Sequence, residues 1–261
     1  SNIAGTRIVC EAALTLGVEK MVHTSSVMAL GPSGKNPSDE TSPRPAGFVN
    51  DYERTKYLAE LEVARFAARG LPAVIVSPSL IYGPSINYPG SATNKFIKGV
   101  IEGSLKGLPN AMDTIANGVY IEDVVTGHLL AMDRGRAGEK YILAGENVTL
   151  GQYLALMNEL FGLKRSFKTV PLWLIWLTGK YQEWNARQTG KEPEVPSSTA
   201  RIYSRNWAYS SNKARKELSY FPRPLREGLK ITHAWLTGRP VPPQPPSDLK
   251  GPNYIPINSL K

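Results

Sequence analysis

The chain has 261 residues, of which 41% are hydrophobic and 20% charged, a composition typical of a globular protein with a buried core. Its formal net charge is +9, but the basic residues are scattered and form no dense block, which argues against nucleic-acid binding. The one cysteine, Cys10, rules out an internal disulfide, and no apolar run reaches the roughly 18 residues that span a bilayer. We therefore expect a protein of a reducing, cytoplasmic compartment with no integral membrane segment.

Helices and short strands alternate through the first third of the chain. Apolar residues at helical spacing predict two helices, which stop at Gly17 and Gly70, and short apolar runs predict strands. The predicted elements are a helix over 2–16, a strand over 21–24, a Gly-, Pro- and Ser-rich loop over 31–47, a helix over 51–68 and a strand over 73–76. This order implies βαβ crossovers and a parallel sheet.

The alternation of helices and strands is less regular beyond Tyr82. The predicted elements there are a helix over 95–105, a strand over 119–121, a helix over 123–132 with Glu122 or Asp123 near its cap, a strand over 140–143, a helix capped by Thr149, a Trp-rich helix over 171–190 and an extended Pro-rich tail over 240–261. These segments add further helix and strand alternation to that of the first third.

Two Tyr-x-x-x-Lys pairs occur, Tyr52 with Lys56 and Tyr209 with Lys213. Residues four apart on a helix share a face, so spacing alone does not distinguish the two pairs. The second pair lies in a region without crossovers, and we interpret it as surface structure.

The first pair has neighbours that point to a ligand site. The strand before its helix ends in Thr24, Ser25 and Ser26, and the strand after it ends in Ser77 and Pro78. In an open parallel sheet the carboxyl ends of the strands line the ligand crevice, so we expect these polar residues to converge with the Tyr/Lys face. His23 lies inside the first strand and is interpreted as a sheet histidine.

A set of motifs in this order resembles the extended short-chain dehydrogenases/reductases. The matching stretches are "NIAGT" from Asn2, "HTSS" from His23, "YERTK" from Tyr52, "SPSLIYGP" from Ser77 and "VYIEDVVTGHLLAM" from Val119. Two further stretches, "RGRAGEKYILAGENVTL" and "WAYSSNKARKEL", are similar to the dihydroflavonol 4-reductase-like and hopanoid-associated sugar epimerase-like branch. The resemblance covers about residues 1–237.

The resemblance implies an α/β fold, made of the C-terminal part of a Rossmann-like doubly wound parallel sheet and a smaller mixed α/β substrate lobe. The implied division is 1–83 for the catalytic part of the Rossmann-like domain, 84–118 for a substrate-lobe insertion, 119–144 for the return to the Rossmann-like domain, 145–239 for the substrate lobe and 240–261 for the tail.

The resemblance also implies three catalytic residues. Tyr52 would exchange a proton with the substrate oxygen, and Ser26 would orient that oxygen, with Ser25 as the alternative if the register differs by one. A free tyrosine has a pKa of about 10, so the charge of Lys56 would be needed to favour the phenolate near neutral pH.

The cofactor implied is NAD or NADP, and no metal is expected because the histidines lack metal-ligand spacing. Asn2 fits a relay behind Lys56 and fits equally a helix cap. The residues expected to bind the cofactor are Asn2, Thr24, Ser25, Tyr52, Lys56, Pro78, Ser79, Leu80 and Ile81.

One expected motif is missing. A nicotinamide enzyme of this fold needs a glycine-rich turn after its first strand, and the sequence contains no such fingerprint. We expect the strands that carry this turn to lie upstream of Ser1, which would leave one edge of the sheet open and apolar surface exposed.

Three functions stay open at this point. They are an NAD(P)-dependent reductase acting on a small-molecule carbonyl or secondary alcohol, a nucleotide-sugar epimerase or dehydratase, and a non-catalytic scaffold or truncated fragment. A pyrophosphate-bearing substrate would need basic residues in the lobe, and the candidates are Lys95, Lys98, Arg165 and Arg201.

Aromatic residues cluster on one side of the Trp-rich helix. They are Trp173, Trp176, Tyr181 and Trp184, together with Leu177. They fit core or dimer packing, and a homodimer is accordingly expected, or they fit an apolar lid over a flat, lipid-like substrate.

Overall fold

Three small sheets and the helices around them make up the part of the chain that the structure describes. The computed structural model describes residues 2–105 and 107–241, so most of the Pro-rich tail expected over 240–261 lies outside the described residues. The strands are β1 (Met21–Thr24), β2 (Ala73–Pro78), β3 (Leu80–Tyr82), β4 (Leu108–Pro109), β5 (Ile115–Tyr120), β6 (Lys140–Leu143), β7 (Glu146–Thr149) and β8 (Thr169–Val170). The helices are α1 (Asn2–Thr15), α2 (Asp51–Ala67), α3 (Ala92–Glu102), α4 (Ile121–Arg134), α5 (Leu150–Phe161), α6 (Leu172–Thr189), α7 (Ser198–Tyr203), α8 (Asn212–Leu218) and α9 (Leu225–Leu236), with a 3-10 helix at Val27–Ala29.

The central sheet is parallel, with strand order β1-β2-β6. Its middle strand, β2, is buried at every position, because α2 contacts it as well as α4. In register, Thr24 of β1 lies beside Val76 of β2, and Pro78 lies beside Leu143 of β6. The α/β class and the parallel sheet predicted from the sequence are confirmed.

The outer side of β1 is open within the described residues, since β1 pairs only with β2 there. Beside it, α1 exposes Ile8, Val9 and Leu16, whose relative exposures are 67%, 58% and 79%. An open groove of about 320 Å³ lies between α1 and β1. The structure thus shows the open edge and the exposed apolar surface that the sequence predicts.

A second core lies beyond the central sheet. The β3-β5-β7 sheet, in which β3 and β5 are parallel and β5 and β7 antiparallel, packs with α3, α5 and α9. Tyr82 and Tyr120 meet edge to face in this core, with ring centroids 5.8 Å apart. Gly228 of α9 lies against Tyr82, and a Cβ at that glycine would fall 2.3 Å from the phenol oxygen. The close approach of α9 to the sheet therefore requires glycine there. The division into a Rossmann-like part and a substrate lobe stays a prediction.

Several predicted boundaries were wrong by two or three residues. The helix predicted from residue 95 begins at Ala92, because the Ser91 side chain accepts the N–H of Asn94. The helix predicted from 123 begins at Ile121, and Glu122 and Asp123 lie in its first turn, near the cap as predicted. The Asp123 carboxylate accepts bonds from the backbone N–H and the Nε of Arg223, at 2.9 and 3.0 Å. By contrast, the predicted Thr149 cap is confirmed, with a full capping box.

The prediction that Tyr209 and Lys213 are surface structure was wrong. Tyr209 is only 2% exposed, and its hydroxyl donates to the carbonyl of Gly31 at 2.8 Å. Lys213 donates to the Glu139 carboxylate at 2.5 Å and to the Lys140 carbonyl at 2.8 Å. The pair therefore anchors the 31–47 loop and β6, a structural role that spacing alone does not reveal.

A buried ion pair fastens the 31–47 loop to the start of α2. Glu53 is 1% exposed and accepts bonds from the Arg44 guanidinium and from the backbone N–H of Val49, both at 2.5 Å. Arg44 also donates to the Ala29 carbonyl at 3.2 Å and lies 4.0 Å from the centre of the Phe48 ring. The loop, the 3-10 helix and the first turn of α2 are thereby held together.

Replacing Arg44 should strongly destabilise the protein. In Arg44→Met the Glu53 carboxylate would stay buried without its cation, so we expect the free energy of unfolding to fall by about 3 kcal/mol or more. The matched control is Arg54→Met, which breaks the exposed Arg54–Asp51 pair of the same helix and should cost less than about 1 kcal/mol. Urea unfolding of both variants measures this, and equal losses would contradict the role given to the buried pair.

Candidate active site

The first two turns of α2 present Tyr52 and Lys56 on one face. The helix begins at Asp51 because the Asn50 side chain accepts the N–H of Glu53 at 2.8 Å. Tyr52 is 49% exposed, so its phenol is accessible to a small molecule. The helical spacing that the sequence predicts is therefore present, with the phenol on the outside.

Lys56 connects this face to the carboxyl end of β1. Its Nζ donates to the Thr24 carbonyl at 3.3 Å and lies 6.0 Å from the centre of the Tyr52 ring. Burial lowers the pKa of Lys56, and the Glu60 carboxylate one turn further along partly opposes that effect. Lys56 is thus a partly buried cation, placed between the end of a strand and a tyrosine ring.

The two serines that follow β1 have different surroundings. Ser26 caps the 3-10 helix, and its Oγ accepts the N–H of Met28 at 3.2 Å, which leaves the hydroxyl hydrogen able to donate elsewhere. Ser25 is 4% exposed and its backbone N–H donates to Val76, but its Oγ has no hydrogen-bond partner among the described residues. The partly exposed Ser26 is the more accessible of the two.

A second buried hydroxyl without a partner follows the neighbouring strand. Ser79, just beyond β2, is 7% exposed, and no partner for its Oγ exists within residues 2–105 and 107–241. Its backbone N–H donates to the Leu143 carbonyl at 3.2 Å, which fixes the loop after Pro78. Leu80, in contrast, is 47% exposed. Buried hydroxyls normally find a partner, so Ser25 and Ser79 fit a polar ligand at this edge of the sheet.

Other predicted residues are already bonded within the protein. Asn2, at the start of α1, donates from Nδ2 to the Thr55 hydroxyl at 3.1 Å, next to Lys56. His128 Nδ1 lies 2.8 Å from the Val124 carbonyl, to which it donates, and Nε2 lies 2.9 Å from the Thr24 hydroxyl. The Thr24 side chain is thus engaged by His128, a contact that the sequence did not predict. Ile81 lies in β3, where its carbonyl accepts from Ser91.

Among the described residues no group of three His, Cys, Asp or Glu side chains could hold a metal ion. Within the same residues no helix is long and apolar enough to cross a membrane.

His23 should make stability depend on pH. Burial lowers the pKa of His23, nearby Lys56 lowers it further, and Glu60 opposes both. Below the ordinary pKa of about 6.5, the unfolded chain takes up a proton at this position more readily than the folded one, so stability falls as pH falls. Each unit of lowering corresponds to about 1.4 kcal/mol. Between pH 7 and pH 5 we expect the free energy of unfolding to fall less in His23→Gln than in the unaltered protein. The same dependence of unfolding free energy on pH in both proteins would exclude this linkage.

A parallel sheet with a Tyr-x-x-x-Lys helix and serines at its carboxyl edge is the arrangement of the extended short-chain dehydrogenases/reductases. The chain belongs to the NAD dependent epimerase/dehydratase family, whose model matches residues 1–144. The chain is therefore of the NAD(P)-dependent enzyme class of this family.

Relatives of known sequence agree with this family. The chain is 32% identical over 245 residues to the "Putative dihydroflavonol 4-reductase" of Synechocystis sp., covering 90% of this chain and 69% of that protein. It is 32% identical over 244 residues to "Sterol demethylase protein B" of Methylococcus capsulatus, covering 91% and 72%. The crystal structure of gox2253 superposes with a TM-score of 0.76 at 37% identity, covering 91% and 72%.

The residues present fit the nicotinamide end of such a cofactor. The two buried hydroxyls and the Lys56 ammonium lie around the carboxyl ends of β1 and β2, where an amide and a ribose need donors and acceptors. The printed sequence has no glycine-rich phosphate turn, so we assign no residue to the pyrophosphate.

Proposed function

We propose that the chain carries the Ser26, Tyr52 and Lys56 site of a reductase that acts on a carbonyl or secondary alcohol. The observation that carries this proposal is the contact of Lys56 with the Thr24 carbonyl. It brings the Tyr/Lys face of α2 to the end of β1, two residues before Ser26.

Each residue has a chemical role in this proposal. The Ser26 hydroxyl donates to the substrate oxygen and orients it, and the Tyr52 phenol transfers a proton to that oxygen as the C=O bond is reduced to C–OH. The Lys56 ammonium stabilises the phenolate that remains on Tyr52. The nicotinamide, when bound, supplies the hydride to the carbonyl carbon. In the oxidative direction the same groups act in reverse.

The residues proposed to hold the cofactor surround this site. Ser25 and Ser79 would donate their unpaired hydroxyls, and Lys56 would bind the ribose hydroxyls. The backbone from Pro78 to Ile81, including Leu80, would contact the carboxamide. Asn2 and Thr24 are already bonded within the protein, so they would hold neighbouring residues in position.

The proposed substrate is an apolar, ring-containing ketone or alcohol. The names of the two relatives refer to a dihydroflavonol and to a sterol. The alternative, a nucleotide-sugar epimerase or dehydratase, agrees with the reaction types in the family description, but a nucleotide sugar needs free cations in the lobe. Two of the four candidates are already engaged there, since Lys98 pairs with Glu102 and Arg165 donates to the Ile101 carbonyl at 3.0 Å.

Removing the Tyr52 hydroxyl should abolish most of the activity. In an active preparation of the protein we expect Tyr52→Phe to lower kcat by roughly 10² to 10⁴, because the proton donor is lost. Cofactor affinity should be retained, since the ring and Lys56 remain. Steady-state kinetics and a cofactor titration measure the two effects.

Tyr57→Phe is the matched control, because it makes the same change one residue beyond Lys56 on the same helix. Unchanged turnover in Tyr52→Phe, or an equal loss in Tyr57→Phe, would reject the site. The reaction type is read from nicotinamide absorbance, which changes stoichiometrically with product for a reductase and shows no net change for an epimerase.

We also propose a homodimer in the cytoplasm. The exposed Ile8, Val9 and Leu16 of α1 are compatible with burial in a protein contact, of which a second copy of the chain is one. The buried, free thiol of Cys10 is compatible with a reducing compartment. Light scattering should give twice the chain mass at micromolar concentration, and a monomer mass would contradict the dimer.

A further inference from the structure

A row of large apolar side chains runs along the outer side of α6. Trp173, Leu177, Tyr181 and Trp184 follow each other at intervals of four, four and three residues, which places them on one helical face. Their relative exposures are 66%, 52%, 65% and 59%. The core packing considered for this helix from its sequence is therefore wrong for these residues. We call these four residues the aromatic row.

The opposite side of α6 is fixed to the protein. Ile175 is buried, and Gly179 lies so close to the backbone of Ser197 that a Cβ there would be 2.4 Å from its nitrogen. Glu183 accepts the Ser197 N–H at 2.8 Å and the Ser197 hydroxyl at 2.7 Å. The helix cannot rotate the aromatic row inward without breaking these contacts, so the row faces outward in the folded chain.

Basic side chains accompany the aromatic row on α6. The helix carries Lys180, Arg187 and one acidic residue, Glu183. That carboxylate is held by Ser197 and by Lys180 at 3.2 Å. Lys180 and Arg187 lie on α6 beside the row, while the exposed Glu192 and Glu194 come after the helix has ended. The surface thus combines tryptophan, tyrosine and leucine with positive charge.

We propose that the aromatic row docks on the surface of an anionic lipid bilayer. Tryptophan and tyrosine are the side chains that prefer the boundary between headgroups and acyl chains, because one end of each is apolar and the other forms hydrogen bonds. Lysine and arginine beside an apolar helix face extend towards lipid phosphates. A protein partner would be expected to meet fewer charges at the centre of the contact. The proposal is independent of the catalytic site, because no residue of the row belongs to it.

The test is co-sedimentation of the 261-residue chain with vesicles of phosphatidylcholine alone and of phosphatidylcholine with phosphatidylglycerol. We expect roughly tenfold stronger binding to the anionic vesicles at low salt, accompanied by a blue shift of tryptophan fluorescence. The double variant Trp173→Gln with Trp184→Gln should bind them roughly tenfold more weakly. Lys180→Gln with Arg187→Gln should lose a similar factor, since each cation adds electrostatic attraction.

Two control variants change equally exposed residues elsewhere. Phe221→Gln removes an aromatic ring that is 70% exposed, and Lys216→Gln removes an exposed charge; neither should alter binding. Absence of binding to anionic vesicles by the unaltered chain overturns the proposal, as does an equal loss in the controls. A dimer that the double tryptophan variant dissociates, without vesicle binding, would assign the row to a second copy. A raised KM for substrate in that variant, again without vesicle binding, would assign it to a lid. Either result overturns the proposal.

Discussion

The contact between Lys56 and the Thr24 carbonyl is the constraint on which the candidate site depends. It shows that the start of α2 lies at the carboxyl end of β1, and the parallel pairing of β1 with β2 brings the loop after Pro78 to the same edge. The crossover geometry of a βαβ unit makes this convergence general. The hydroxyls of Ser25 and Ser79, which have no partner among the described residues, are available to a ligand at this edge.

The helix that carries Tyr52 and Lys56 is held in position by a buried ion pair. Glu53 and Arg44 join the 31–47 loop to the start of this helix. Burial of such a pair is not a strong source of stability in itself, because desolvation offsets most of the attraction. Its effect is geometric, since Glu53 bonds both the Arg44 guanidinium and the backbone N–H of Val49 and so joins the loop to the helix. One turn further along α2, burial lowers the pKa of Lys56.

Two exposed apolar surfaces of the chain differ in chemistry. On α1 the exposed residues are aliphatic, Ile8, Val9 and Leu16, and they lie beside the open edge of β1. On α6 they are mainly aromatic and are accompanied by lysine and arginine. Aliphatic surface beside an unpaired strand is suited to protein packing, whereas tryptophan with flanking cations is suited to a lipid headgroup layer. The chemistry of the α1 surface is therefore suited to a protein contact, and that of the α6 surface to a lipid contact.

The sequence by itself determined the local elements that carry the site. The strand over 21–24, the helix that places Tyr52 and Lys56 on one face, and the Thr149 cap all depend on residues within a few positions of one another. It did not determine which polar residues would be buried. Tyr209 is buried with its hydroxyl bonded to Gly31, 178 residues away in the chain, and the Asp123 carboxylate accepts from Arg223, 100 residues away. Only the tertiary structure decided these contacts, because helical and strand periodicity records which face of an element is apolar and carries no information about which distant residue will meet it.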